Sequence, residues 1–175
     1  MRFEMKEVVK RLIIGTPIEN IVRLILRRPR FKFEDSSKYW EFRYRSSGNS
    51  GSGSYGRLAE YKAEVINRFV KDESVNSVIE FGCGDGNQLM LANYPYYVGI
   101  DVSHAAIYAC KAKFLNDQQK AFLHSDEYEG EQCELALSLD VVYHLVEDEV
   151  FDVYMRKLFC SATRFVIIYS SNTGI

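Results

Sequence analysis

The stretch S-V-I-E-F-G-C-G-D-G-N-Q-L, residues 77–89, decides how the chain folds. It opens with an apolar run that is typical of a short buried strand. Gly82, Gly84 and Gly86 follow at alternate positions, and three glycines in five residues permit a tight turn that bulkier residues resist. Residues 87–92 have the composition of a helix opening. The pattern predicts a strand, a glycine turn and a helix N-terminus, whose free N–H groups favour ligand binding.

A carboxylate follows a second predicted strand. Residues 96–101, Y-Y-V-G-I-D, end in Asp101, which lies 21 residues after Glu80 in the first strand. A carboxylate at this position, about 20 residues on, accepts hydrogen bonds from ribose hydroxyls in nucleotide-binding folds. The glycine turn alone also fits an ordinary tight turn, but its combination with Asp101 favours a ligand site.

The order of residues in the turn, E-x-G-x-G-x-G, differs from the G-x-G-x-x-G of dinucleotide sites. It resembles motif I of the class I S-adenosyl-L-methionine (SAM)-dependent methyltransferases. The resemblance covers about residues 57–170 and implies SAM as cofactor. It also implies an α/β fold: a Rossmann-like, doubly wound, mainly parallel sheet of about five strands in the order 3-2-1-4-5, with extra N-terminal helices.

The family's usual sheet has seven strands, and its last two are antiparallel. This sequence supplies five strands, so we expect the C-terminal antiparallel strands to be missing. Either the sequence is a truncated product, or its sheet edge is covered by the N-terminal helices or by a partner.

The remaining elements follow from periodicity. Strands are predicted over residues 120–124, 134–140 and 164–169, and the last, being almost fully apolar, is expected to be buried on both faces. Helices are predicted over residues 36–45, 55–71, 104–115 and 147–159. In the helix over residues 55–71, the residues at helical spacing that we expect to face the core are Leu58, Tyr61, Val65, Ile66 and Phe69.

The resemblance implies roles for individual residues. The glycine turn would pass under the methionine part of SAM, with Glu80 helping to hold the amino-acid end. Asp126, with Glu127 behind it, would meet the adenine amino group, although a solvated acidic loop is the alternative. The expected cofactor-binding residues are Glu80, Gly82, Cys83, Gly84, Gly86, Asp101, Val102, Asp126, Glu127 and Leu139.

Asp140, Tyr143 and His144 follow the fourth predicted strand in a pattern that resembles motif IV, where the strand end faces the transferred methyl group. They are the candidate catalytic residues. His144 is the candidate general base because its reference pKa is near neutrality. The alternative is a histidine that packs or orients a loop, since many methyl transfers need only proximity and alignment.

An aromatic helix precedes a flexible loop. Residues 36–45 read S-S-K-Y-W-E-F-R-Y-R, and residues 46–54 contain only Ser, Gly and Asn. This pattern resembles the N-terminal lid of some small-molecule methyltransferases, which would close over SAM and exclude water. Tyr55 and Arg57 are then expected near the cofactor carboxylate or the substrate. A plain linker is the alternative.

Charge divides the chain into two parts. Residues 1–32 carry nine Lys/Arg and three Glu, a net charge of +6, whereas the remainder carries a net charge of −8. We expect basic N-terminal helices and a Gly/Ser lid loop over residues 1–54, and a SAM-binding methyltransferase domain over residues 55–175. A basic amphipathic helix predicted over residues 17–28 either packs on the domain or docks on an anionic membrane surface or a protein partner.

Composition limits the remaining possibilities. The overall charge of −2 and the lack of an N/D-P-P-Y motif argue against a nucleic-acid substrate. The four cysteines form no C-x-x-C pair, so we expect neither a metal site nor disulfides. No apolar run reaches about 18 residues, and no signal peptide is evident, so a cytoplasmic protein with possible peripheral membrane contact is expected.

The leading hypothesis is therefore a SAM-dependent methyltransferase that modifies a small-molecule or glycan nucleophile. The first alternative is an NAD(P)-dependent enzyme with a Rossmann fold. The second alternative is a non-catalytic SAM-fold protein that binds a partner or a membrane through its N-terminal helices.

Overall fold

The computed structural model describes residues 32–170; the helices predicted within residues 1–31 lie outside the described residues. The described helices are α1 (Ser36–Arg45), α2 (Gly56–Asp72), α3 (His104–Lys113) and α4 (Asp148–Cys160). The strands are β1 (Ser77–Phe81), β2 (Tyr96–Asp101), β3 (Lys120–His124), β4 (Cys133–Leu139) and β5 (Ala162–Tyr169). In this part of the chain, every helix is too short or too polar to span a lipid bilayer.

The five strands form one parallel sheet in the order β3-β2-β1-β4-β5. This confirms the predicted fold class and strand order. In the central strand, Glu80 lies beside Gly99 of β2 and Leu137 of β4. Because β1 is central and parallel to both neighbours, its carboxyl end meets the ends of β2 and β4 at one edge of the sheet.

The sheet has helices on both faces. Val78 and the other residues of one face pack with α2 and α3, through Ile66 and Ile107 among others. Ile79 and the residues of the opposite face pack with α4, whose Leu158 is fully buried. The alternation along β1 thus divides the core into two layers, as expected for a sheet covered on both sides.

The buried face of α2 agrees only in part with the predicted one. Ile66 is buried and Phe69 packs partly buried against the core, as predicted, but Leu58, Tyr61 and Val65 are 45–58% exposed. The buried residues of α2 are Ala59, Lys62, Ala63, Ile66 and Val70. Two alanines let the helix approach the sheet closely, so the prediction was wrong for the three exposed residues.

Two further elements differ from their predictions. The helix expected after the glycine turn is only a 3₁₀ helix over Gln88–Leu91, because Pro95 follows closely and disfavours continuation of the helix. Strand β5 was expected to be buried on both faces, but it pairs only with β4 and keeps Ile168 39% exposed. Apolar composition alone could not distinguish an inner strand from this outer one.

Core packing generates a first test. Replacing the fully buried Leu135 of β4 with Ala should lower the free energy of unfolding by about 2–5 kcal/mol, because a cavity is left in the larger core layer. Leu115, which is 79% exposed, is the control, and its replacement with Ala should change stability by less than about 0.5 kcal/mol. Urea unfolding measures both; equal losses would contradict this description of the core.

Candidate active site

The turn after β1 is bonded to the end of β2. The backbone N–H groups of Gly82 and Cys83 both donate to the Ile100 carbonyl, at 2.7 and 3.0 Å. The next N–H, of Gly84, donates to Oδ2 of Asp101 at 2.9 Å. These bonds fix the glycine turn directly against the carboxylate predicted to bind ribose.

Only glycine suits two positions of this turn. Gly82 and Gly84 have φ angles of +85° and +57°, in the left-handed region that side chains rarely adopt. A Cβ at Gly82 would lie 2.3 Å from Cγ2 of Val141, and one at Gly84 would lie 2.3 Å from Oγ of Ser50. The turn therefore needs both the backbone freedom and the missing side chains.

Asp101 is a buried carboxylate at the end of β2. Its Oδ1 accepts the Ser103 N–H at 2.9 Å, while Oδ2 accepts the Gly84 N–H. Burial raises the pKa of Asp101 to about 6, although these two hydrogen bonds oppose the shift. Each carboxylate oxygen keeps acceptor capacity for a ligand hydroxyl, and the group is mostly ionised at pH 7.

Glu80 is also buried, on the sheet face that α2 covers. The Tyr97 hydroxyl donates to its Oε2 at 2.6 Å. Burial raises the pKa of Glu80 to about 7, while the bond from Tyr97 and the positive charge of Lys62 act in the opposite direction. In this structure Glu80 lies behind the turn, within the packed layer.

The ammonium group of Lys62 reaches the end of β4 from α2. Its Nζ bonds Oδ2 of Asp140 at 2.5 Å, and the two side chains are 1% and 14% exposed. Asp140 has a φ of +61°, and its N–H donates to the Tyr169 carbonyl at 2.8 Å. Lys62 was not predicted from the sequence, although it shares one helical face with Ala59, Ala63 and Ile66, which indicates a buried side chain.

Loop 46–54 packs on the glycine turn. The Ser50 N–H donates to Oδ2 of Asp85 at 3.1 Å, and the Asp85 N–H donates to Oγ of Ser50 at 3.0 Å. The Tyr55 hydroxyl donates to the same Asp85 oxygen at 2.6 Å. At Gly53, a Cβ would lie 2.4 Å from Oδ2 of Asp140, so the loop also lies directly against the end of β4.

Helix α1 is attached to both sides of the site. Near the end of β4, the Ser36 N–H and hydroxyl donate to the carboxylate of Glu147, at 2.8 and 2.6 Å. Beyond the end of β2, Oε2 of Glu41 accepts the Ser103 hydroxyl at 2.6 Å and the Ala105 N–H at 3.2 Å. Together with loop 46–54, α1 therefore covers the carboxyl ends of the central strands.

His144 lies beneath α1. Its ring packs edge-on against Trp40, with 4.9 Å between ring centroids, and tilts against Tyr143 at 4.2 Å. Burial and the nearby charge of Arg43 lower the pKa of His144 below its ordinary value. The imidazole is therefore neutral at pH 7, which is the state in which it accepts a proton.

These elements enclose a cavity of about 520 Å³. Six of the residues predicted to bind cofactor or substrate line it: Gly82, Asp101, Val102, Leu139, Asp140 and His144. Its walls also include aromatic residues that the sequence did not single out as ligand contacts, among them Trp40, Phe81, Tyr128 and Tyr154.

The other predicted residues lie around this cavity. Glu80, Cys83, Gly84 and Gly86 belong to the turn and strand behind it. The carboxylate of Asp126 is 88% exposed and lies 3.5 Å from Nδ1 of His124, and Glu127 accepts the His124 N–H at 2.9 Å. Arg57 is exposed at the start of α2, and Tyr143 is 45% exposed. Their roles toward a ligand stay predictions.

A protein-family model described as "Methyltransferase domain" matches residues 55–159 of this sequence. The chain belongs to this methyltransferase domain family. The match confirms the predicted family, with SAM as its cofactor, and does not support the NAD(P)-dependent alternative. No curated protein matches the sequence.

Several solved methyltransferases share the fold. The methyltransferase domain of bacterial CtHen1 is 20% identical, with a TM-score of 0.55 over 64% of this chain and 66% of that one. The N-methyltransferase NodS from Bradyrhizobium japonicum WM9, bound to S-adenosyl-L-homocysteine (SAH), is 14% identical, with a TM-score of 0.59 over 74% and 69%.

The amino pentose methyltransferase CalS10 from Micromonospora echinaspora, bound to SAM, is 13% identical, with a TM-score of 0.54. That match covers 78% of this chain and 55% of CalS10. The chain thus spans about two thirds of the CtHen1 domain and about half of CalS10. At these identities the matches establish the fold.

The burial of Glu80 predicts an unusual pH dependence of stability. Because its pKa rises from 4.5 in the unfolded chain to about 7 in the native state, native Glu80 retains its proton to higher pH. Glu80 therefore contributes stability below about pH 4.5, and this contribution is lost as the pH rises to 7.

Replacing Glu80 with Gln should consequently stabilise the protein at pH 8 by roughly 1–3 kcal/mol more than at pH 5. Urea unfolding of the variant and the wild type at both pH values measures this difference. Glu64, exposed on α2, is the control: Glu64→Gln should show no such pH-dependent gain. A gain for Glu80→Gln that is equal at both pH values would contradict the assignment.

Proposed function

We propose that this chain transfers the methyl group of SAM to a nucleophilic atom of a small-molecule or glycan acceptor. The observation that carries the proposal is the cavity at the carboxyl ends of β1, β2 and β4, which has the Asp101 carboxylate and the neutral His144 imidazole in its walls. In parallel α/β sheets, ligands bind at this edge.

The cavity suits the cofactor in size and chemistry. Its volume of about 520 Å³ falls within the range of about 300–1,000 Å³ that is usual for ligand pockets. Asp101 offers a carboxylate for ribose hydroxyls, and Gly82 contributes to the cavity wall beside it. Val102, Leu139 and Val141 provide apolar surface that would accommodate a flat purine ring.

When bound, SAM supplies an electrophilic methyl group on a positively charged sulfur. On the acceptor side, we propose His144 as the base that removes the proton of the attacking hydroxyl or amine. Its lowered pKa keeps it unprotonated, and its contact with Trp40 fixes the ring plane. Tyr143 and Asp140 are the other proposed substrate-side residues, and the bond from Lys62 fixes the orientation of the Asp140 carboxylate.

We propose that α1 and loop 46–54 form the lid of this site. Their hydrogen bonds to Asp85, Ser103 and Glu147 attach them to the segments that follow β1, β2 and β4, which supports a closed position over a bound cofactor. A covered cavity favours a small acceptor, or a slender terminal group of a glycan, over a folded macromolecule. CalS10 and NodS, which share the fold, have titles naming an amino pentose methyltransferase and an N-methyltransferase.

The division of the chain into residues 1–54 and 55–175 is also a proposal, although α1 and loop 46–54 pack closely on the second part. We further propose that the basic residues 1–32 contact an anionic membrane surface or a protein partner, because their net charge of +6 contrasts with the acidic remainder.

Isothermal titration of the purified protein with SAM and SAH tests the proposed function directly. We expect both to bind, and we expect Asp101→Ala to weaken SAM binding about 10- to 100-fold, because hydrogen bonds from the ribose hydroxyls to a charged group are lost. Asp152→Ala, on the exposed face of α4, is the control and should bind as the wild type does. A folded wild-type protein that binds neither compound would refute the proposal.

The lid assignment has a separate test. Gly53→Ala places a methyl group against the Asp140 carboxylate and should hold loop 46–54 away from the site. Stopped-flow dissociation should then show release of SAM roughly tenfold faster, since the loop no longer covers the site. The adjacent, exposed Ser52 is the control, and Ser52→Ala should release SAM at the wild-type rate. Equal rates for the two variants would contradict the lid assignment.

A further inference from the structure

The pairing of Lys62 with Asp140 has a consequence for the cofactor site. Lysine is rarely buried, yet the Lys62 side chain is 1% exposed and ends on a carboxylate that lines the cavity. Asp140 lies immediately after β4 in a left-handed backbone conformation and is packed against Gly53 of the loop. The chain therefore places an amino group and a carboxyl group together in a largely buried position, which costs desolvation.

Lys62 also interacts with other groups near Asp140. Its Nζ lies 5.2 Å from the centroid of the Tyr169 ring, which adds a favourable cation–π contact. Glu80, on the neighbouring strand, is close enough for the charge of Lys62 to influence it. Lys62 thus bonds Asp140 on the cavity side and acts electrostatically on Glu80 behind the turn.

The proposed reaction changes the charge of the cofactor. The acceptor's lone pair forms the new bond to the methyl carbon, the sulfur keeps the electrons of the broken bond, and the sulfonium cation becomes a neutral thioether. During transfer the positive charge moves from sulfur toward the acceptor. An uncompensated carboxylate in the cavity wall would stabilise the cationic reactant more than the transition state, which slows the chemical step.

We propose that Lys62 is a specificity-determining residue of the cofactor site: by neutralising Asp140, it limits the preference of the site for cationic SAM over neutral SAH. This inference rests on the proposed function. It assigns Lys62 an electrostatic effect on the two ligands in addition to its packing in the core. A purely structural lysine would affect the binding of both compounds equally.

Titration calorimetry at pH 8 with SAM and SAH tests the inference through the ratio of the two affinities. In Lys62→Met, the preference for SAM over SAH should rise about three- to tenfold, because the cavity gains a net negative charge. In Asp140→Asn it should fall by a similar factor, because the positive charge of Lys62 remains. Lys62→Arg and the double variant Lys62→Met/Asp140→Asn should both stay near the wild-type ratio.

Lys71→Met is the matched control, since Lys71 lies exposed in the last turn of the same helix. It should leave the ratio unchanged. A folded Lys62→Met protein with the wild-type ratio would overturn the inference, and so would equal weakening of SAM and SAH binding in both single variants.

If the unpaired carboxylate prevents Lys62→Met from folding, Asp140→Asn decides: a lowered SAM-to-SAH preference supports the inference, and an unchanged preference refutes it. The proposed function fails in a different way. A folded wild-type protein that binds neither SAM nor SAH would contradict the function itself before any variant is compared.

Discussion

The backbone of the turn after β1 is bonded to the end of β2, and the rest of the site depends on this attachment. Three successive N–H groups, from Gly82 to Gly84, donate to the Ile100 carbonyl and the Asp101 carboxylate. The attachment requires left-handed backbone at two of these residues, and it leaves no room for side chains there. It fixes the position of Asp101, the candidate ribose ligand, lets Val141 pack directly on the backbone of Gly82, and places Asp85 where loop 46–54 bonds it.

Charged side chains cluster near this turn. Asp101, Glu80 and Asp140 are three carboxylates near the ends of three adjacent strands, and burial raises the pKa of the first two. The ammonium group of Lys62 reaches Asp140 from α2 and acts electrostatically on Glu80. A site that binds a cation and releases a neutral product needs its carboxylates balanced by positive charge, because excess negative charge would stabilise the reactant more than the transition state.

The proposed lid is formed by segments that precede the family domain. The family match begins at residue 55, yet α1 and loop 46–54 supply hydrogen bonds to Glu147, Ser103 and Asp85. The packing of Trp40 against His144 accompanies these hydrogen bonds. A helix and a loop attached in this way separate from the core at lower cost than a strand of the sheet does, which is consistent with the proposed lid.

The sequence alone predicts the glycine turn and the position of Asp101, because these follow from local patterns: an apolar run, glycines at alternate positions, and a carboxylate about 20 residues on. The strand order was predicted from the resemblance of these motifs to a known family. The sequence did not determine which face of α2 is buried, that β5 is half-exposed, or that a helix fails to form before Pro95. Only the tertiary structure showed the bond between Lys62 and Asp140. The two residues are 78 positions apart, and although the spacing of Lys62 with Ala59, Ala63 and Ile66 indicates a buried face, no local pattern indicates which carboxylate it meets.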